Sequence, residues 1–172
     1  MKVARGERRS EGRASRERRF GDLVLRPARR DDLPAVLEIE RRAFSHPWSL
    51  DAFLEETRQA HSRLWLAWSE SDESRRLVGY VCHWLVAAEV QILNVATHPD
   101  WRRKGVGRWL VEAVLEEALE EGAARVTLEV RRHNLPAIAL YERLGFSRVG
   151  ERRNYYGGGE DAVLMEKDVA GG

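Results

Sequence analysis

Two spacings of apolar residues alternate along this chain, one typical of strands and the other of helices. Runs rich in β-branched and aromatic residues predict strands at residues 23–26, 64–68, 77–86, 89–97, 126–130, 147–153 and 162–167. Apolar residues three and four positions apart predict helices at 33–43, after Ser49, at 108–121 and at 136–144. The order β-α-α-β-β-β-α-β-α-β-β predicts an α/β domain with mixed strand pairing.

Capping residues mark the ends of the predicted helices. Asp32 and Ser49 precede the first two, and an oxygen-bearing side chain at this position accepts hydrogen bonds from the first N–H groups of a helix. Gly122 and Gly145 follow the last two, where glycine readily adopts the left-handed conformation that ends a helix. These residues therefore support the predicted helix boundaries.

A glycine-containing loop separates the strand at 89–97 from the helix at 108–121. Its sequence is Arg102-Arg103-Lys104-Gly105-Val106-Gly107. Glycine lets the backbone approach a ligand closely, and the helix start beyond it offers free N–H groups to an anion. The spacings of the P-loop and of the dinucleotide-binding fingerprint are absent here. The loop therefore predicts a cradle for a pyrophosphate, and a tight turn without a ligand is the alternative.

The composition fits one globular domain, which we predict to span residues 21–168. The chain has 172 residues, of which 43% are apolar and 33% are charged. Its longest apolar run is too short to span a bilayer and nothing marks export, so we expect no membrane association and a cytoplasmic location. The lone Cys82 fits a reducing compartment and is expected to be a buried apolar residue. The five histidines lack metal-ligand spacing, so we expect no metal.

The net charge of +1 conceals a basic segment at residues 1–20. This segment contains eight basic and three acidic residues and almost no apolar ones. Because it cannot bury enough surface to offset the entropy of ordering, we predict a disordered tail. Two interpretations remain open. The tail could touch RNA or the ribosome through its charge, or it could be a solvated leader or the product of a misassigned start site. Apart from such a contact, we expect no nucleic-acid partner.

Several ordered motifs in the second half of the chain resemble the GCN5-related N-acetyltransferase (GNAT) superfamily. They are the Arg-x-x-Gly-x-Gly loop at 102–107, Asn134 after the next strand, and a helix that ends in Leu-Tyr-x-x-x-Gly-Phe at 140–146. Within that superfamily, four further segments resemble the bacterial ribosomal-protein-alanine acetyltransferases: 46–49, 89–96, 153–156 and 160–162. The resemblance extends from about Leu23 to Lys167.

The resemblance implies a GNAT-like fold, with a mixed, mostly antiparallel sheet and helices on both faces. It also implies acetyl-CoA as the co-substrate. Backbone groups on the strand would hold its pantetheine and acetyl portions, at Val95, Ala96 and Thr97. The loop and helix start would hold its phosphates, at Arg103, Lys104, Gly105, Val106, Gly107 and Arg108. Asn134 would contact the coenzyme, and it could also act as a helix cap.

Two residues are candidates for proton transfer. Glu129 lies between two apolar residues on a strand, so its side chain points to the opposite face, which suits either a cleft or a surface salt bridge. Tyr141 carries a phenol that is protonated at neutral pH, and it could instead be a core aromatic residue. The resemblance implies that Glu129 accepts the proton of the amine, directly or through water, and that Tyr141 is the general acid that donates a proton to the departing thiolate.

The acceptor would lie between two loops that are far apart in sequence. By resemblance, one loop contributes Phe44, Pro47 and Trp48, and the other contributes Tyr155 and Tyr156. These aromatic residues could also be a packing cluster. By its position in the family, Glu89 would lie near the channel mouth, where it could bind a cationic acceptor or merely begin a strand.

The resemblance implies an acetyl-CoA-dependent N-terminal acetyltransferase. Its acceptor would be a protein N-terminus, the alanine that begins ribosomal protein eighteen of the small subunit, with direct transfer and no acyl-enzyme. Two alternatives stay open. One is a GNAT enzyme that acetylates a small-molecule amine or a lysine side chain, and the other is a non-enzymatic acetyl-CoA-binding or RNA-binding module.

Overall fold

The computed structural model describes residues 17–70 and 75–170 of the chain. The strands are β1 (Arg18–Phe20), β2 (Leu23–Pro27), β3 (Ser62–Ser69), β4 (Arg76–Val86), β5 (Glu89–Thr97), β6 (Arg125–Arg131), β7 (Ser147–Arg152) and β8 (Ala162–Asp168). The helices are α1 (Leu33–Ala43), α2 (Leu50–Arg58), α3 (Val106–Glu120) and α4 (Leu135–Arg143). Within these described ranges, every helix is too short or too polar to traverse a lipid bilayer.

One eight-stranded sheet organises the molecule, in the order β1-β2-β3-β4-β5-β6-β8-β7. Neighbouring strands pair antiparallel except β5 and β6, which are parallel. The predicted mixed, mostly antiparallel sheet is therefore confirmed. The parallel pair needs a crossover, and α3 provides it between β5 and β6.

Each face of the sheet is covered by a pair of helices. One hydrophobic core joins α1 and α2 to side chains of β3 and β4 such as Leu64, Leu66 and Tyr80. The other core joins α3 and α4 to β6 and β8 through residues such as Leu128 and Met165. Helices on both faces were expected, and the two cores confirm them. Cys82 is buried as predicted, and burial raises the pKa of its thiol to about 12.

The structure adds a strand that the sequence did not predict, and it corrects the boundary of the tail. Arg18–Phe20 pairs with the edge of β2, so these residues belong to the sheet and not to a disordered segment. The Phe20 ring stacks on Trp109 of α3 at 5.6 Å, and Arg18 pairs with Glu116 and Glu120 of the same helix. These long-range contacts stabilise β1, although its three residues are too few and too charged for a strand to be predicted from the sequence. The rest of the predicted tail lies outside the described residues.

In most cases the observed helix ends have the capping residues that the sequence predicted. The hydroxyl of Ser49 accepts a hydrogen bond from the Ala52 N–H, as a cap of α2 should. The helix α3 begins at Val106, two residues before the predicted start. Asp32 does not cap α1 with its side chain; it binds the Arg26 guanidinium and the Arg29 N–H instead. The Arg26 partner therefore displaces the expected cap.

Candidate active site

A cleft opens where β5 and β6 stop pairing. Their parallel register ends at Ile92 and Leu128, although both strands continue for several residues. The space between them is part of a cleft of about 550 Å³. Because β5 still pairs with β4 up to Thr97, only the edge of β5 that faces β6 lacks a strand partner there. Free backbone groups along that edge could pair with an extended ligand.

Glu129 lies on the wall of this cleft that β6 forms. Its neighbours Leu128 and Val130 are in the core behind the sheet, so the alternation of the strand directs the carboxylate into the cleft. The side chain is 14% exposed and lies 3.2 Å from Nε of Arg152. The Tyr155 hydroxyl donates a hydrogen bond to the same carboxylate, which raises the pKa of Tyr155. The cleft and the salt bridge were considered as alternatives, and both are present.

Tyr141 lies on α4 and lines the same cleft. Its ring packs edge-on against Phe146 at 5.8 Å, so the core interpretation also holds in part. Burial, reinforced by the nearby Tyr156, raises the pKa of Tyr141 to about 12. The phenol is therefore protonated throughout the physiological pH range.

The two predicted acceptor loops converge on the cleft. Phe44 and Trp48, between α1 and α2, line it from one side, and Tyr156, between β7 and β8, lines it from the other. The Tyr156 ring packs beneath the Arg131 guanidinium at 4.2 Å. Tyr155 is half-exposed and packs edge-on against Tyr156 at 5.1 Å, so it reaches the site through its hydroxyl.

Two of the predicted acceptor residues lie elsewhere. Glu89 is at the opposite end of β5 from the cleft, where its exposed carboxylate lies 3.2 Å from Nε of Arg125. It begins the parallel pair, which is the simpler of the two roles considered for it. Pro47 is exposed and is not among the residues that line the cleft, although His46 and Trp48 on either side of it are.

The glycine loop continues from β5 to the start of α3. Gly105 has φ +85°, a left-handed conformation that favours glycine, and it precedes the helix without a side-chain cap. The first N–H groups of a 15-residue helix are thus open to an anion. A Cβ on Gly107 would lie 3.5 Å from Oγ1 of Thr97 and 3.8 Å from Leu140, which places the loop against β5 and α4.

The cationic side chains around this helix start are exposed. Lys104 packs over the Trp101 ring at 4.8 Å, and Arg108 pairs with Glu112 at 2.7 Å. Arg103 is also exposed and has φ +62°. Val106 is buried, so only its backbone could touch a ligand. This combination of uncapped helix N–H groups and exposed cations suits a pyrophosphate.

The remaining predicted coenzyme residues occupy the side of the cleft near α4 and the end of β5. Val95 and Asn134 line the cleft, and Asn134 also caps α4 by accepting a hydrogen bond from Ala137 N–H at 3.3 Å. Both roles considered for Asn134 are thus compatible. The side chain of Ala96 is in the core, so its backbone alone could take part. The residues present therefore fit an extended thioester coenzyme with phosphates at one end.

Several residues that line the cleft were not predicted from the sequence, among them Ser45, His46 and Glu40. Ser45 and His46 line the cleft beside Phe44, and Glu40 lies below them on α1. Glu40 occupies the apolar stripe that contains Val36, where a carboxylate is unexpected. This carboxylate within an apolar stripe is the sequence feature from which Glu40 could have been identified.

Comparison with known proteins identifies the family. Residues 33–146 match the model described as the acetyltransferase (GNAT) family. The chain belongs to the GNAT family. It is thus an N-acetyltransferase of a family that uses acetyl-CoA, as predicted.

Two curated relatives of this GNAT protein cover most of its length. It is 38% identical over 142 residues to the [ribosomal protein bS18]-alanine N-acetyltransferase of Escherichia coli (strain K12), covering 81% of this chain and 93% of the relative. It is 30% identical over 161 residues to the N-alpha-acetyltransferase of Saccharolobus solfataricus, covering 86% and 94%.

A solved structure confirms the GNAT fold. The crystal structure of the ribosomal-protein-S18-alanine N-acetyltransferase from Escherichia coli superposes with a TM-score of 0.78 and 32% identity. The match covers 87% of this chain and 96% of that one. The resemblance noted from the sequence motifs is therefore confirmed.

Proposed function

We propose that this protein transfers the acetyl group of acetyl-CoA to the N-terminal alanine of ribosomal protein bS18. The observation that carries the proposal is the 38% identity to the Escherichia coli enzyme of that name across 93% of its length. The convergence of Glu129, Tyr141 and Tyr156 on one cleft supports it. The reaction would take place in the cytoplasm, which the single buried cysteine also fits.

The bound coenzyme would supply an acetyl thioester, whose carbonyl carbon is attacked by the amine as the C–S bond breaks. The helix start at Gly105–Arg108, with Arg103 and Lys104, would hold the phosphates. The free edge of β5 at Val95–Thr97 would align the extended pantetheine by backbone hydrogen bonds, with Asn134 beside it. The chain thus positions the donor mainly through its backbone.

Glu129 would accept the proton of the attacking amine, directly or through a water molecule. An α-amine has a reference pKa near ~8, whereas a lysine amine is near ~10.4, so deprotonation of lysine costs about 3 kcal/mol more at neutral pH. One carboxylate is therefore an adequate base for an N-terminus. Arg152 and Tyr155 would hold that carboxylate toward the cleft through the contacts described above.

Tyr141 would stabilise the departing sulfur. A thiol titrates near ~8.5, well below the Tyr141 pKa of about 12. Complete proton transfer from this phenol to the thiolate is thus unfavourable. A hydrogen bond from the phenol to the developing negative charge is favourable, and it acts only as the C–S bond breaks.

The test is an acetylation assay with a peptide that begins with the N-terminal sequence of bS18. The same peptide, blocked at its N-terminus and containing lysine, is the matched control. We expect acetyl-CoA to be consumed only with the free peptide, and mass spectrometry to locate the acetyl group on the α-amine.

Other outcomes would favour the alternatives. Acetylation of internal lysines, polyamines or aminoglycosides in preference to the peptide would identify a different GNAT acceptor. Acetyl-CoA binding without release of free CoA on any amine would indicate a non-enzymatic module.

A further inference from the structure

A buried carboxylate lies beneath the acceptor side of the cleft, and the mechanism above does not use it. Glu40 on α1 is 1% exposed and is among the residues that line the cleft. Its Oε1 accepts a hydrogen bond from the Trp48 N–H at 2.7 Å. Nδ2 of Asn94 donates to both carboxylate oxygens, at 3.2 and 3.3 Å, and the Tyr80 hydroxyl donates to Oε2.

These contacts join four parts of the fold through one side chain. Glu40 itself is on α1, Tyr80 is on β4, Asn94 is on β5, and Trp48 is in the loop before α2. Within the described ranges, no basic side chain forms an ion pair with Glu40, so neutral donors alone stabilise its charge. Burial of a carboxylate is costly unless its oxygens are hydrogen-bonded, so such an arrangement resists rearrangement. Burial, reinforced by the neighbouring Glu40, raises the pKa of Tyr80 well above its usual range.

The loop between α1 and α2 depends on Glu40 at both of its ends. The Phe44 N–H donates to the backbone oxygen of Glu40 at 3.0 Å, and the Trp48 N–H donates to its side chain. Between them, Pro47 has no N–H to donate. The Trp48 ring is further fixed against Phe53 at 5.3 Å. The Glu40 side chain and the Phe53 ring thus both fix the Trp48 end of the segment Phe44–Trp48, which forms one wall of the cleft.

The hydrogen bonds from Asn94 to Glu40 connect the wall Phe44–Trp48 to β5, the strand that would face the coenzyme. Asn94 directly precedes Val95, and the pairing of β5 with β4 shifts register just before Asn94. We propose that Glu40 is a positioning residue that fixes the acceptor wall Phe44–Trp48 at a set distance from β5. Through that distance it determines how well the peptide N-terminus fits the cleft. The inference rests on the proposed function and goes beyond it, because it assigns acceptor affinity to a residue outside the proton-transfer pair.

The kinetic test is Glu40→Gln, with Glu38→Gln as the matched control. Glutamine keeps the shape but replaces one acceptor oxygen with an N–H donor, so at least one of the bonds to Trp48 or Asn94 is lost. We expect the KM for the peptide to rise about tenfold, the loss of roughly one such hydrogen bond. The KM for acetyl-CoA should change less than twofold. Glu38 is on the same helix but is exposed and paired with Arg42, so its variant should behave as the wild type.

A purely structural role would give a different pattern. It would lower the melting temperature without separating the two KM values.

Tyr80→Phe removes a donor to the same carboxylate on the side away from the loop, so it should lower stability while the peptide KM stays within twofold. If Glu40→Gln fails to fold, Asn94→Ala keeps the carboxylate and breaks only the tie to β5, and it should raise the peptide KM severalfold. An unchanged peptide KM in every folded variant at Glu40 or Asn94 would overturn the proposal.

Hydrogen–deuterium exchange separates this inference from the proposed function, because it needs no acceptor. The Trp48 amide should be protected in the wild type and should exchange at least tenfold faster in Glu40→Ala, which removes the acceptor of its hydrogen bond, whereas amides of α3 should not change. If the wild type acetylates no Ala-starting peptide, the proposed function fails while this measurement still reports whether Glu40 pins the loop. Equal exchange at Trp48 in the wild type and in Glu40→Ala would overturn the inference even in an active enzyme.

Discussion

The coenzyme side of the cleft and its acceptor side are held in shape by different interactions. On the coenzyme side, the free edge of β5 and the start of α3 present backbone groups, and Gly105 sets the turn by its conformation. On the acceptor side, the wall Phe44–Trp48 and the tyrosines 155 and 156 are held by side-chain contacts to Glu40, Glu129 and Arg131. A backbone site tolerates variation in side chains, whereas a side-chain site can be tuned residue by residue. This contrast suits an enzyme family with one shared donor and many acceptors.

The largest effect is expected where the two sides meet. Glu129→Gln removes the proposed proton acceptor at nearly constant shape, and loss of positioned proton transfer should lower kcat by ~10²–10⁴. The KM for acetyl-CoA should stay within twofold, because Glu129 lies away from the helix start. Glu151→Gln is the control, since Glu151 is on the exposed strand β7 and pairs with Arg132. Near-normal kcat in a folded Glu129→Gln protein would remove Glu129 from the mechanism.

Alkaline pH should lower the free energy of unfolding through Tyr141, which lines the cleft. Burial raises the pKa of Tyr141 to about 12, above the value near ~10 in an unfolded chain, so the fold favours the protonated phenol. Its contribution to stability is fully present below pH 10 and is lost as the pH rises through about 12. The loss approaches about 3 kcal/mol, from a shift of roughly two units.

Urea unfolding at pH 9 to 12 measures this loss. Tyr141→Phe has no proton to lose, so its free energy of unfolding should fall less steeply over that range than that of the wild type. Parallel curves for the two proteins would contradict the assignment of a buried, protonated Tyr141.

The backbone side can be tested at its two glycines, because a Cβ would meet only ordinary contacts at either one but Gly105 alone has a positive φ. Gly107 has ordinary contact distances for a Cβ, so Gly107→Val should fold normally, yet its side chain would crowd a bound phosphate. We expect the KM for acetyl-CoA to rise at least tenfold, about 1.4 kcal/mol, with the melting temperature nearly unchanged. Gly105→Val should lower stability as well, because φ +85° strains a β-branched residue.

Gly150→Ala is a control on β7, where a Cβ meets nothing within 4 Å. Coenzyme affinity that is unaffected by Gly107→Val, measured by calorimetry, would contradict the pyrophosphate assignment.

Much of this architecture could be predicted because local signals agreed with the tertiary structure. The strands β2 to β8 and the helices showed clear periodicity, and Ser49 and Asn134 cap their helices as expected. Glu129 could be placed because strand alternation alone directs it away from the core. In each case a short segment contains the information that decides its own conformation.

The features that were missed depend on partners that are distant in sequence. The strand Arg18–Phe20 forms because β2 and α3 offer pairing and ion-pair partners up to about 100 residues away. Glu89 was expected near the channel mouth from its position in the family, but only the far half of β5 lines the cleft. For Glu40 the sequence offers only the hint of a carboxylate in an apolar stripe, since its three hydrogen-bond donors come from other parts of the fold.

The acceptor side should respond to a single aromatic truncation. Tyr156→Ala removes a ring that lines the cleft and packs under Arg131, so peptide use should weaken by several-fold to tenfold, as for one stacked aromatic contact of about 1 kcal/mol. The affinity for acetyl-CoA should be nearly unchanged. Tyr155→Phe is a matched variant that keeps the neighbouring ring but removes the hydroxyl held by Glu129. Equal loss of affinity for both substrates in Tyr156→Ala would show that the two sides are not separable.

The smallest effect is expected behind the coenzyme side, at the strand β1. Phe20→Ala removes the ring that stacks on Trp109, and such a partly exposed aromatic pair contributes about 1 kcal/mol to stability. The Phe20 ring also comes within 3.5 Å of where a Cβ on Gly105 would lie, so it packs against the turn from the outside. If the turn is set by its own backbone conformation, the KM for acetyl-CoA should change less than twofold while the melting temperature falls by a few degrees.

Arg19→Ala, on the same strand but paired with Glu70, should change neither quantity measurably. A large rise in the coenzyme KM for Phe20→Ala alone would mean that side chains hold the coenzyme side as well, and the contrast between the two sides would fail.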